Sequence, residues 1–101
     1  MDFNTSLRAP IGVPAGSPII EVEGVRLAVA RDGRGPAIVC LHAIGHGGRD
    51  FDAFTAAVKD RFEVIRLDWP GQGRSDPDSK PLTPTRYAEL LAGVLERLRI
   101  A

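Results

Sequence analysis

Residues 37–41, Ala-Ile-Val-Cys-Leu, form an uncharged run without polar–apolar alternation and lead straight into His42-Ala43-Ile44-Gly45-His46-Gly47-Gly48. A strand with one wet face alternates, so an unbroken apolar run of this length between turn residues points to a strand covered on both faces. Such strands have parallel neighbours, and a parallel neighbour requires a crossover connection rather than a hairpin. The run therefore predicts a central strand with a glycine loop at its carboxyl end and a helix that carries the chain back.

The flanking sequence supplies those partners. Upstream, Ile19-Ile20-Glu21-Val22 and Val25 to Arg31 are β-branched, partly alternating and separated by Glu23-Gly24, which predicts an antiparallel hairpin. Asp32 to Pro36 then turns the chain. Downstream, Arg49 to Val58 carries Phe51, Phe54 and Val58 at helical spacing, and Phe62 to Asp68 reads as a second strand. Strand, helix and strand in one sheet imply a right-handed crossover. A polar loop, Trp69 to Lys80, precedes a helix over Pro84 to Leu98. Thr83 is placed to cap that helix, Pro84 suits its first turn, and Tyr87, Leu90, Leu91, Val94, Leu95 and Leu98 make one apolar stripe. Leu82 and Tyr87 are spaced for a hydrophobic staple. Arg86, Glu89, Glu96 and Arg97 are expected on the exposed side. Residues 1–18, with three prolines and two glycines and no period, read as a flexible N-terminal arm ahead of a domain over residues 19–101.

Composition removes several function classes. Lys plus Arg and Asp plus Glu both number 13, so there is no net field to draw in nucleic acid or an anionic membrane, and neither is expected as a partner. The longest strongly apolar runs are far short of the roughly 20 residues that span a bilayer, and the first ten residues lack the pattern of a signal peptide. A single cysteine, Cys40, sits inside the apolar run, which suggests a buried thiol in a reducing compartment. The chain is expected to be soluble and cytoplasmic.

The chemistry is confined to the loops. A glycine loop between a strand's carboxyl end and a helix aims backbone N–H groups at an anion, either a phosphate or the oxyanion of acyl transfer. Phosphate fits poorly: Gly45-His46-Gly47-Gly48-Arg49-Asp50 has Asp50 where a dinucleotide fingerprint needs a small residue, and no Lys-Ser/Thr pair follows as in a P-loop. No cofactor is expected. His42 and His46, four apart on a strand end and loop, have no Cys or third His to join them, so no metal site is expected and hydrogen bonding within a turn is the simpler role. None of Ser6, Ser17, Ser75 and Ser79 lies in G-x-S-x-G. Ser75 is read as closing a turn, and Asp68 as a loop hydrogen-bond acceptor.

Taken together, these features resemble the start of an α/β-hydrolase fold. The resemblance rests on the apolar strand ending Leu41-His42, the glycine loop and helix, and the turn Asp68-Trp69-Pro70-Gly71-Gln72-Gly73-Arg74-Ser75. That turn is similar to the family's D-x-x-G-x-G-x-S and begins 26 positions after His42. The resemblance covers roughly residues 19–98 and corresponds to the first third of a family domain, as a β-hairpin followed by β-α-β-α with parallel strands.

The resemblance implies an oxyanion loop in which the Ile44 N–H is a donor, His42 braces the loop and the Asp68 to Ser75 turn supports the active-site wall. Ala43 stands where the family usually has glycine, a costly exchange if that position needs positive φ. The complete family pattern hydrolyses ester, amide or related bonds through Ser-His-Asp chemistry. The nucleophile elbow would fall on the strand after the last helix, outside these 101 residues, so the chain is expected to be inactive as given and to meet a small-molecule substrate only when completed by further sequence. In the family's strand order, residues 37–41 lie between the strand at Phe62 to Asp68 and the nucleophile strand. Their outer edge is expected to be bare and prone to self-association unless Phe3 to Val13 covers it. A small α/β binding or interaction module is the alternative reading.

Overall fold

The computed structural model describes residues 11–100. Four strands, β1 (Ile19–Val22), β2 (Val25–Gly33), β3 (Ala37–Leu41) and β4 (Glu63–Leu67), form one sheet in the order β1-β2-β4-β3. The β1–β2 hairpin is antiparallel, β2 pairs antiparallel with β4, and β4 pairs parallel with β3. Between β3 and β4 the chain makes a 3-10 turn, Gly48–Phe51, and helix α1, Asp52–Val58. Helix α2, Pro84–Arg97, follows the long loop. The chain is thus an α/β structure matching the expected order of elements. Strand β2 runs two residues further than expected, because Asp32 and Gly33 continue the ladder opposite Val64 and Glu63.

Both faces of the sheet centre are covered, which is why β2 and β4 lack clean alternation. On one face α2 lays Leu90 and Val94, both fully buried, over Val22, Val25, Leu27, Val29, Ile65 and Leu67. The helix begins as its sequence predicts: the Arg86 N–H donates to Thr83 Oγ1 at 3.1 Å and Pro84 occupies the first turn. Leu82 stays exposed. On the other face, small side chains on β2, Ala28 and Ala30, let Val13 pack closely.

Two expectations are corrected here. Within the N-terminal arm, residues 11–18 are not a free linker: Val13 is 1 % exposed and its N–H donates to the Asp68 carboxylate at 3.0 Å, while Arg74 Nε donates to Val13 O at 2.8 Å. Phe3 and Leu7 lie outside the described residues. Arg86 is not on an exposed helix face but 4 % exposed. Its guanidinium donates to both carboxylate oxygens of Asp78, at 2.6 and 3.2 Å, and to Glu23 Oε1 at 2.8 Å. The spacing placed Arg86 outside the apolar stripe. Two acidic loops arriving from elsewhere give it partners and exclude water.

Strand β3 lies at the end of the sheet, with only β4 beside it among the described residues. Helix α1 packs less completely than its spacing predicts. Phe51 is half-buried, Phe54 is 40 % exposed, and the one buried side chain is Thr55, whose hydroxyl donates to Phe51 O. Phe51 and Phe54 instead overhang β3 and, with Ile38, Val39, Cys40 and Leu41, line an open apolar groove of about 430 Å³.

Candidate functional site

The loops leaving the carboxyl ends of β3 and β4 meet side by side, and Asp68 organises their meeting. It directly follows β4 and is fully buried. Its carboxylate accepts from the backbone N–H groups of Gly48 at 2.7 Å, Arg74 at 2.9 Å and Val13 at 3.0 Å. Three segments distant in sequence thus end on one side chain. The carboxylate is consumed by these donors, in keeping with the hydrogen-bonding role read from the sequence. Gly73 is needed beside it: its φ is +53° and a Cβ there would sit against Asp68 Oδ2.

Ser75 is equally committed. Its hydroxyl donates to Asp68 O at 2.6 Å and accepts from the Ala28 N–H at 2.8 Å, while the Asp68 N–H donates to Ala28 O at 3.0 Å. The serine therefore stands in for the second hydrogen bond that Ala28 and Asp68 would exchange in an antiparallel pair, at the point where β4 departs from β2. A serine 3 % exposed whose hydroxyl is both donor and acceptor is a turn closure, not a nucleophile.

His42, also buried, ties the two loops together. Its Nε2 accepts from the Trp69 N–H at 2.9 Å, which leaves Nδ1 as the protonated nitrogen, 2.7 Å from Ala43 O. The indole Nε1 of Trp69 returns a bond to His42 O at 3.0 Å. Trp69 in turn packs edge-on against Tyr87 of α2, with ring centroids 4.6 Å apart. Helix α2 and the two loops are therefore coupled through one aromatic pair and two hydrogen bonds.

Residues 43–46 form a tight turn closed by the His46 N–H donating to Ala43 O at 3.0 Å. The left-handed position is Gly45, at φ +88°. The two described non-glycine residues with positive φ are Glu23 and Arg99, so Ala43 sits in ordinary backbone and its side chain carries no conformational penalty. Ile44 occupies the exposed corner, its side chain 75 % exposed, and among the described residues its N–H has no intramolecular partner. The adjacent Gly45 N–H is engaged, donating to Gln72 Oε1 at 2.5 Å across the gap between the loops.

Other titratable groups near this site have settled roles. His46 Nδ1 pairs with Asp50 Oδ2 at 2.7 Å on the surface, so the two histidines have separate partners. No group of three or more metal-ligating side chains comes together among the described residues. Burial pushes the Cys40 thiol up from its ordinary value, against the opposing pull of Arg66, which leaves it a core thiol rather than a nucleophile. Arg66, 3 % exposed, lies beneath α1 and pairs with Asp52 at 2.5 Å and Asp32 at 3.2 Å. Among the described residues no helix is long and apolar enough to cross a membrane. Gln72, Arg66 and Arg86 were not visible as site-supporting residues in the sequence, since each gains its role from a partner far along the chain.

Comparisons with known proteins agree with this architecture. The model of a family described as the alpha/beta hydrolase family matches residues 38–100. Over 69 residues the chain is 41 % identical to a pimeloyl-[acyl-carrier protein] methyl ester esterase of Methylococcus capsulatus, covering 68 % of this chain and 25 % of that protein. Over 72 residues it is 38 % identical to the polyketide synthase ThaQ of Burkholderia thailandensis, covering 71 % of this chain and 4 % of that protein. Among solved structures, the Cif epoxide hydrolase from Acinetobacter nosocomialis superposes with a TM-score of 0.79 at 24 % identity, over 94 % of this chain and 31 % of that one. The chain thus spans a quarter or less of these curated relatives and about a third of that solved structure.

Proposed function

The chain belongs to the α/β-hydrolase family, and from that premise we propose that residues 37–48 supply the oxyanion side of a hydrolase site for esters, amides or related bonds. Attack on a carbonyl places negative charge on its oxygen, and a fixed N–H aimed at that position stabilises the transition state more than the ground state. In this reading the Ile44 N–H is that donor and Ala43 carries the turn that presents it. The supporting observation is an N–H at the carboxyl end of β3 that is unpartnered among the described residues, in a turn whose Ala43 carbonyl and Gly45 and His46 N–H groups are engaged. One such donor is worth about 10²–10³-fold in kcat in hydrolases of this chemistry.

The nucleophile, acid and catalytic histidine are assigned to sequence outside these 101 residues. Asp68 and Ser75 are consumed by backbone bonds and His42 is buried as a brace, so none of them is free for covalent chemistry. The substrate is then a small molecule met only by a completed site. A p-nitrophenyl ester assay on the 101-residue chain, paired with sequencing of the coding DNA beyond codon 101, tests this. No turnover by the chain, a G-x-S-x-G motif shortly downstream and turnover by the extended product are expected. Turnover by the 101-residue chain alone would overturn the assignment. A small binding module is the second reading, favoured by the open groove along β3, and it requires a partner bound by the chain without added sequence.

A further inference from the structure

The turn that carries Ile44 is held open on one side, and its hydrogen bonds say what keeps it so. In a four-residue turn the central peptide, here between Ile44 and Gly45, has two orientations about 180° apart. One places the third residue at negative φ (type I) and the other at positive φ (type II). Gly45 at φ +88°, with Ile44 outside the positive-φ set, identifies the second. Glycine permits that orientation but does not enforce it, because glycine populates both signs of φ with similar ease. The closing bond from the His46 N–H to Ala43 O is common to both turn types, so it does not choose between them either.

The group that distinguishes them is Gln72. Its Oε1 accepts from the Gly45 N–H, which is the N–H of the flipping peptide. Gln72 is itself fixed: its backbone N–H donates to Trp69 O at 3.0 Å, and its Nε2 lies 3.4 Å from Pro70 O, so the side-chain oxygen is the atom turned towards Gly45. If the peptide flipped, the Ile44 carbonyl would replace the Gly45 N–H on that side, and the dipole beside the Ile44 N–H would be reversed.

We propose that Gln72 is a positioning residue that locks the central peptide of the Ala43–His46 turn in its type II orientation, keeping a carbonyl from turning to the side now occupied by the Gly45 N–H. The step from this lock to catalysis rests on the oxyanion reading above, whereas the lock itself does not. Without Gln72 the turn interconverts between the two orientations, and an oxyanion at Ile44 would meet a fluctuating field.

The test uses 15N-labelled 101-residue chain and needs no catalysis, so its failure is separate from failure of the hydrolase reading. In the wild type the Gly45 amide is expected to be protected from exchange with solvent, and Gln72→Leu to lower that protection by at least about tenfold while amides of β4 keep theirs. Gln72→Glu, which retains an acceptor oxygen, is expected to restore it. In that variant the Gly45 amide proton shift should follow the titration of the new carboxyl, a signature that simple destabilisation does not produce. Equal Gly45 protection in wild type and Gln72→Leu would overturn the proposal. If Gln72→Leu does not fold, the pH series on Gln72→Glu decides alone: a Gly45 shift that ignores the carboxyl titration overturns it, and one that tracks it supports it.

Discussion

At the residue scale the fold depends on polar groups that end chains of contact as well as on the apolar core. Asp68 shows why. Its carboxylate is the shared acceptor for the backbone N–H groups of Val13, Gly48 and Arg74. Leaving a buried donor unsatisfied costs about 1–3 kcal/mol each. Asp68→Ala orphans all three donors, and the combined loss is comparable to the whole stability of a small domain, typically about 5–15 kcal/mol. The variant is expected to lose its cooperative thermal transition in circular dichroism. Asp68→Asn keeps one carbonyl acceptor and should retain a transition at lower temperature. A variant Asp68→Ala as stable as wild type would show that these bonds hold nothing together.

The element scale is set by how the β1–β2 hairpin, the loop before α2 and α2 itself are joined at Arg86. The guanidinium beside Asp78 holds that carboxyl below its ordinary value of 3.8, and Asp78 and Glu23 together push Arg86 upward. A carboxyl whose folded pKa is depressed contributes stability that is fully present above the unfolded value and is lost as pH falls through the folded one. Unfolding midpoints measured from neutral pH downward should therefore drop once pH passes below about 4. In Asp78→Asn the midpoint should already be lower at neutral pH and the acid limb shallower. Matching acid limbs in the two proteins would remove Asp78 as a source of the pH dependence. The same cluster shows what sequence spacing conveys. Thr83, Pro84, Leu90 and Val94 declare a helix and its buried stripe, because capping and 3.6-residue periodicity are local. Arg86 declares an exposed residue, because its partners lie 8 and 63 positions away. Likewise the order of the glycine loop at Ile44 and the Asp68 to Ser75 turn makes two neighbouring loops legible, and the structure brings them together. Gln72 and Val13 are not, since each acts through a segment that only the sheet order brings near.

For the whole molecule the unresolved balance lies at the outer edge of β3. The Glu63 N–H donates to Pro36 O at 3.0 Å, so residues 36, 38 and 40 turn their backbone groups towards β4 and Ala37, Val39 and Leu41 turn theirs away. Among the described residues the usual protections of an edge are lacking: the strand has no Lys, Pro or bulge, and the groove beside it is lined by Phe51 and Phe54. The outward pattern is also symmetric about Val39. An antiparallel approach of a second copy sets Val39 against its equivalent and Ala37 against the second copy's Leu41, which uses every outward backbone group of those positions in a two-fold, self-complementary contact. The chain carries no net charge to oppose it. Val13, one end of the segment expected to cover this edge, is buried against Ala28 and Ala30 instead. The 101-residue chain is therefore expected to self-associate through β3, visible as a concentration-dependent sedimentation coefficient. Leu41→Lys changes a side chain already 41 % exposed, so it should leave circular dichroism unchanged while shifting the population to monomer. A wild-type chain that sediments as a monomer at every concentration would mean that the edge is guarded in solution, and association that survives Leu41→Lys would place the contact on another surface.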